Sequence, residues 1–279
     1  MYMKYRWGLC VSLCFLLCWQ SLAAGAETLR LSMLPNTSPE ELQRRLLPLA
    51  NLLSAKTGMQ VEPYIVTDFT DYEKKLAEGS FDISYANPVV FVKQSRLHEP
   101  LAIRSKGDEG QHFQGLIIVR SDSPITDLAG LRGKKVMATG RTSAYGFLSQ
   151  KLSLLEQGIT PEQDLRLEEA VDNKIENVIL AVYMGEADAG FITESGRNRI
   201  DRYVPAAMIK VLATTAPLPG WVLSVRRSLP ANVKEKLQQA VLALKPGDPV
   251  LSAMDIKVFR TPSILEFEGL RRAMGLSGD

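Results

Sequence analysis

Cysteine is scarce in this chain of 279 residues: Cys10, Cys14 and Cys18 are the only three, and all lie among the first 18 positions. From residue 19 onward there is no thiol to form a disulfide, hold zinc or attack a substrate. Histidine is scarcer still, with only His98 and His112. Neither belongs to an HExxH pattern, and no GxSxG elbow accompanies them, which argues against a zinc hydrolase or a Ser-His-Asp triad. His98, followed by Glu99 and Pro100, reads as an exposed loop residue. His112, in the polar, Gly-rich "GDEGQHFQG", is open to both an ordinary loop position and a hinge or cleft-edge role. GxGxxG and Walker patterns are missing, so nucleotide chemistry has no motif behind it. The carboxylate pairs Glu40/Glu41 and Glu168/Glu169 fall on predicted polar faces, where solvation explains them.

Long apolar runs are confined to the start. Lys4 and Arg6, the 13-residue run "WGLCVSLCFLLCW" and the small residues "SLAAGA" ending at Ala26 form the pattern of a secretory signal. The run is shorter than the ~18 to 20 residues a membrane-spanning helix needs. Leu16 and Leu17 precede Cys18 where a lipid-attachment site would carry small residues, so no lipid anchor is expected. The exported part begins near Glu27. Without Lys4 and Arg6, the 33 basic residues fall to 31 against 31 acidic ones, a balance of zero. Such a balance supports neither a nucleic-acid partner nor attraction to an anionic membrane.

What remains alternates between strand and helix patterns. "LRLSM" reads as a strand and Pro35 breaks it. Ser38 then caps a helix with Pro39 at its first position and Glu41 as capping-box partner. Leu42, Leu46, Leu49, Leu52 and Leu53 share one face of that helix, Gly58 ends it, and "MQVEPYIV" is the next strand. The β-α-β order implies parallel strands with a right-handed crossover. The same alternation continues through "DISYA", a helix opened by Asn87 and Pro88, the extended runs "LAIRS" and "FQGLIIVRS", the strand "KKVMAT" and the strand "ADAGFIT". Asp188 reads as a support for the turn before that last strand.

The predicted class is therefore α/β, and extended crossings near Leu101–Arg120 and Val211–Arg226 leave room for one large domain or for two lobes, each a mainly parallel sheet flanked by helices, that close around a ligand cleft. Residues 1–26 are the signal, 27–112 with 217–279 the first lobe, and 113–216 the second. Ligands of parallel sheets sit at the carboxyl ends of the strands. Three loops occupy such ends: "MLPN", "YANP" and "ATGRTSAYG". In the last, Gly140, Arg141, Thr142 and Ser143 precede a helix whose unpaired N–H groups suit an anion.

Several blocks together resemble the periplasmic substrate-binding proteins of the phosphate/phosphite/phosphonate type, which serve ATP-driven importers. They are "LRLSMLPNTSPEELQRRLLPLANLLSAKTGMQVE", "FDISYANPVVFV", "FQGLIIVRSDSPITDLAGLRGKKVMATGRTSAYGFLSQKLSLLEQGI" and "VILAVYMGEADAGFI". The resemblance implies the two-lobed type II periplasmic-binding-protein fold with a ligand between the lobes. It also implies a helix near Thr142 aimed at phosphonyl oxygens, assisted by a Ser-Thr-Ser-Gly turn. Here that turn is Arg141, Thr142, Ser143, Ala144, so a guanidinium joins two hydroxyls, and its planar fork suits a tetrahedral oxyanion. The chain departs from the family at Ile175, where a His is usual, and at Phe91, where an aromatic hydroxyl is common.

The expected ligand contacts are Arg141, Thr142, Ser143, Ala144, Tyr145, Tyr85, Asn87, Tyr64, Pro35, Asn173 and Glu194. No catalytic residue, metal or cofactor is expected. The implied role is a monomeric periplasmic receptor that captures a small phosphonate- or phosphate-like anion for an ABC permease. A ligand-sensing subunit for a membrane sensor kinase is the alternative. An enzyme on the same scaffold, working through Glu194 or His112, is a third.

Overall fold

The computed structural model describes residues 28–105 and 113–276. The signal-like segment and His112 lie outside the described residues. Strand β1 (Leu29–Met33) leads into helix α1 (Pro39–Thr57), and β2 (Val61–Pro63) returns parallel to β1. Helix α1 begins where Ser38 Oγ accepts the Glu41 N–H at 3.4 Å and ends at Gly58, whose φ of 76° lets its N–H reach Ser54 O. The Glu41 carboxylate does not complete the expected capping box. It turns forward to Arg44 and Arg45, each at 2.6 Å, and those two guanidinium groups hold its carboxyl down at about 2. Leu42, Leu46, Leu49 and Leu53 are buried beneath α1, each contributing roughly 1.5 to 3 kcal/mol of burial.

Helix α2 (Phe69–Ala77) precedes β3 (Ile83–Ala86), which pairs parallel with β1. Helix α3 (Pro88–Lys93) opens with Pro88 behind its cap Asn87, and β4 (His98–Ser105) leads toward the second lobe. There β5 (Gly115–Arg120) and β6 (Lys135–Ala138) precede a π-helical turn (Ala144–Leu148), which continues directly as α4 (Ser149–Glu156). The short α5 (Pro161–Asp164), β7 (Arg166–Glu169), α6 (Ile175–Met184), β8 (Ala189–Thr193), the single turn α7 (Glu194–Arg197) and β9 (Ile209–Thr214) complete this lobe. The chain then returns through β10 (Val222–Arg226), α8 (Ala231–Leu242), α9 (Pro249–Ala253), β11 (Val258–Arg260) and α10 (Glu268–Ala273).

Two sheets result, with strand orders β11-β4-β10-β3-β1-β2 and β7-β6-β8-β5-β9. The β-α-β strands pair in parallel, whereas the strands that carry the chain between lobes pair antiparallel: β10 with β3 and β4 in the first sheet, β5 with β8 and β9 in the second. The first sheet thus draws its strands from residues 29–105 and 222–260, the second from 115–214. Asp188 braces the start of β6, accepting the Lys135 N–H at 2.8 Å while its own N–H reaches Lys135 O.

Packing does not stop at the boundary between sheets. Val89, Phe91, Ile103 and Val222 of the first lobe share one buried cluster with Ile117, Phe147 and Phe191 of the second. The C-terminal segment closes over that cluster. Phe267 stacks on Phe91 at 4.7 Å, Arg271 donates to Ser95 Oγ at 3.1 Å, and Arg272 pairs with Glu156 at 3.1 Å. Gly269 meets α4 so closely that a Cβ there would lie 2.8 Å from Leu152 Cδ2.

His98 corrects the loop assignment. It is the first residue of β4, opposite Arg226, and only 1% exposed. Its neighbour Leu97 and the turn before it are on the surface, but the ring itself turns inward beneath the sheet. Nδ1 lies 3.3 Å from Ser224 Oγ, and Nε2 is buried with no hydrogen-bond partner among the described residues. Burial, then the charges of Arg226 and Arg227, lower its pKa from 6.5 to about 4. The unfolded chain therefore takes up this proton before the folded one does, so stability holds above pH 6.5 and falls as pH drops toward 4. The loss amounts to about 3 kcal/mol at ~1.4 kcal/mol per unit. Urea unfolding at pH 7.5 and 4.5 is expected to show a smaller acid destabilisation for His98→Gln than for the parent. An equal acid slope in both proteins would refute this role for His98.

Candidate functional site

Gly115 opens β5 at the point where the chain enters the second lobe, and it has no room for a side chain. A Cβ there would lie 2.2 Å from Gln150 Nε2, 2.3 Å from Tyr145 O and 2.5 Å from Ser149 Oγ. The first turn of the π–α4 helix therefore rests directly on the β5 backbone. Gln150, fully buried, sets its amide nitrogen 3.1 Å from Tyr145 O, 3.2 Å from Leu116 O and 2.9 Å from Ile192 O. Ser149 donates to the same side chain's carbonyl at 3.1 Å. One side chain thus joins the helix start to both β5 and β8.

The segments that run between lobes are joined beside it. Gly115 N–H donates to Thr215 Oγ1 at 2.8 Å, Gln114 Nε2 donates to Thr215 O at 3.0 Å, and Leu218 N–H reaches Phe113 O at 3.0 Å. Tyr145 spans the gap, donating its hydroxyl to Pro219 O at 2.6 Å. Burial raises the Tyr145 phenol well above its ordinary range, with Tyr85 adding to the rise and Arg104 opposing it. The ring thus acts as a neutral donor.

A cavity of about 740 Å³ opens between the lobes against this joint. Arg104 from β4 and Trp221 before β10 supply the first-lobe side; Phe113, Gln114 and Leu116 supply the hinge. Tyr145 and the β8–α7 turn, with Thr193, Glu194, Ser195, Arg197 and Asn198, supply the second lobe, and Thr214 ends β9 at the rim. The Arg104 guanidinium stands 5.5 Å over the Phe113 ring. Thr193 caps α7 by accepting the Gly196 N–H at 3.2 Å, and its hydroxyl lies 2.9 Å from Ser195 Oγ. Two guanidinium groups and several uncharged hydrogen-bonding groups face one carboxylate, Glu194. That balance suits an anion with polar substituents.

Tyr145 and Glu194 are the expected contacts that meet in this cavity. Tyr85 stands behind it: 2% exposed, it packs its ring 5.3 Å from Trp221 and 6.1 Å from Phe259, and burial raises its phenol. Asn87 uses its side-chain oxygen to cap α3, accepting the Val90 N–H at 2.9 Å. The Tyr64 ring lies between Arg30 and Lys75, at 5.5 and 5.8 Å, beside Phe81. Pro35 is half-buried in the loop after β1. None of these four lines the cavity.

The "GRTSA" turn is also built differently from the expectation. Arg141 does not line the cavity and reaches toward β7, where Glu169 receives its Nε at 3.1 Å and its backbone N–H at 3.1 Å. That exposed ion pair is worth at most ~1 kcal/mol, and it engages the Nε–H and the backbone N–H. Thr142 is exposed. Ser143 spends its oxygen on the Gly146 N–H at 3.0 Å as helix cap, and Ala144 is buried as the first helical residue. Asn173, with φ of 53°, presses its Oδ1 against Gly140. Ile175 fills its place with apolar contact: a Cβ on Gly196 would lie 2.9 Å from Ile175 Cγ2.

Arg104, Phe113, Arg197 and Trp221 are functional candidates that sequence reasoning missed. Their signal was position, because Arg104 ends one crossing strand and "PLPGW" precedes the other.

Comparison with known proteins decides the family. A family model described as ABC transporter, phosphonate, periplasmic substrate-binding protein matches residues 31–266. The chain belongs to this family. Solved structures with the same fold include XAC2383 from Xanthomonas citri bound to ATP, 22% identical over 90% of this chain and 99% of that one, with a TM-score of 0.69. PhnD1 from Prochlorococcus marinus in complex with methylphosphonate is 14% identical over 90% and 99% of the two chains, with a TM-score of 0.64. A binding protein component of an ABC phosphonate transporter from Pseudomonas aeruginosa is 18% identical over 89% and 86%, with a TM-score of 0.59. Members of this family are solute-binding components of importers in the periplasm, which agrees with the two-lobed α/β architecture found here.

The close contact at Gly115 carries a measurable cost. Gly115→Ala is expected to destabilise the protein by roughly 1 to 3 kcal/mol, because the backbone at Tyr145 cannot yield as a side-chain tip can. Chemical denaturation checks this, and a change under 0.5 kcal/mol would show that the contact relaxes freely.

Proposed function

We propose that the cavity between the lobes is the ligand site and that its ligand is a phosphonate- or phosphate-like oxyanion. The convergence of Arg104 from one lobe and Arg197 from the other on a single cavity carries this reading. A ligand bound by both gains contacts in the closed form that it lacks in the open one, and this difference drives closure. Thr193, Ser195, Asn198 and Gln114 supply hydrogen bonds, and Tyr145 supplies a neutral wall. Glu194 discourages a bare, fully ionised anion and favours one with a hydrogen-bond donor. Arg141 belongs to the surface ion pair with Glu169, and Asn173 supports the turn at Gly140 from outside.

The role is non-catalytic capture for an ATP-driven importer. Residues 1–26 direct export and are removed, leaving a monomer in the periplasm. The family supports this reading.

Isothermal titration with methylphosphonate, phosphate and sulfate tests the site, using protein stripped of any co-purified ligand. Arg104→Ala and Arg197→Ala are each expected to weaken the best oxyanion about tenfold or more, the effect of losing a charged hydrogen bond of ~1.5 to 3 kcal/mol. Arg141→Ala is expected to stay within about twofold of the parent. Loss of binding in Arg141→Ala with none in Arg104→Ala would move the site back to the "GRTSA" turn.

A further inference from the structure

The cavity is larger and more aromatic than an oxyanion requires. Its volume of about 740 Å³ lies within the ~300–1,000 Å³ of pockets that enclose drug-sized organic ligands. Three aromatic side chains line it: Phe113, Tyr145 and Trp221. Phe113 lies 5.5 Å from Tyr145 with 32° between the ring planes. It also lies directly against Gly220, where a Cβ would come within 2.6 Å of its ring. Trp221 follows Gly220 directly in the chain and lines the same cavity as Phe113.

These rings are held in place from behind. Tyr85 packs against Trp221 at 5.3 Å, and the Tyr145 hydroxyl is tied to Pro219 O at 2.6 Å. Held aromatic faces lose little entropy when a flat group stacks on them. Arg104 links the two kinds of surface, its guanidinium lying 5.5 Å over Phe113, so one side chain can serve an anion at its edge and a ring at its face.

We infer that this cleft takes a phosphoryl or phosphonyl anion bearing a planar aromatic group, as in a nucleoside phosphate or an arylphosphonate. The ring rests against Phe113 and Trp221, and the anion meets Arg104 and Arg197. Gln114 and Asn198 offer amides to polar atoms at the ring edge. This inference rests on the oxyanion reading above and adds the substituent.

Trp221 provides the test. Trp7 and Trp19 precede Ala26, so Trp221 is the sole tryptophan of residues 27–279, and its emission reports this cleft. Phenylphosphonate, AMP, methylphosphonate and phosphate are titrated into the exported protein, with affinities measured by calorimetry and Trp221 emission followed in parallel. At least one ring-bearing anion is expected to bind tenfold or more tightly than methylphosphonate and to quench Trp221. Whether phenylphosphonate or AMP does so identifies the source of the ring. Trp221→Leu is expected to lose most of the preference for the ring-bearing anion over methylphosphonate, and Trp221→Phe to keep much of it. Methylphosphonate binding as tightly as both ring-bearing anions overturns the aromatic substituent and leaves the oxyanion reading standing. A gain that survives in Trp221→Leu overturns the assigned ring position. Binding of none of the four anions overturns both readings.

Discussion

The contact between Gly115 and the first turn of the π–α4 helix is the constraint around which the rest is arranged. Because β5 carries no side chain there, Tyr145 O and the Gln150 amide come down onto the strand backbone. Gln150 then satisfies carbonyls on β5, on β8 and in the helix itself. A buried polar group with all its partners in place fixes geometry more narrowly than apolar packing does. That geometry puts Tyr145 beside Pro219 and Phe113, and so makes the joint between lobes one wall of the cavity. The i→i+5 pattern of the helix start belongs to the same arrangement, since π-turns recur where a helix must place a side chain off its regular track.

A second consequence concerns how the lobes can move. Phe91, Ile103 and Val222 share a core with Phe147 and Phe191, and the C-terminal helix ties Ser95 on one side to Glu156 on the other. Closure cannot separate these groups without exposing apolar surface. The cavity, lined by Arg104, Trp221 and the β8–α7 turn, lies outside this shared core.

Much of the architecture was legible because it follows from local rules. Ser38-Pro39, Asn87-Pro88 and Gly58 mark helix ends by the φ angles and hydrogen bonds those residues allow, and β-α-β alternation implies parallel pairing. Two features resisted. His98 looks like a surface residue beside Leu97, Glu99 and Pro100, yet strand alternation turns it under the sheet toward Ser224. β11 is only three residues long and owes its strand state to pairing with β4. The site was less legible than the fold. Loops at strand ends were the expected anion seat, and the "GRTSA" turn carries the right atoms; its Arg141 also pairs with Glu169, which lies far along the chain. Ion pairs of that separation leave no local signal. Arg104 and Trp221, which line the cavity, sit in extended runs, where an arginine or tryptophan looks like ordinary strand composition.

The strand order of the first sheet also fixes a sequence of events. β10 lies between β3 and β4, although more than a hundred residues of the second lobe separate it from them in the chain. Every strand of the second sheet, ending at Thr214, precedes Val222. A chain that emerges amino-terminus first can therefore finish its second sheet while the first still has an open gap at its centre. Only when β10 arrives do β3 and β4 become neighbours through it. The lobe that begins the chain is the last to be completed, and long-range pairing of this kind slows folding.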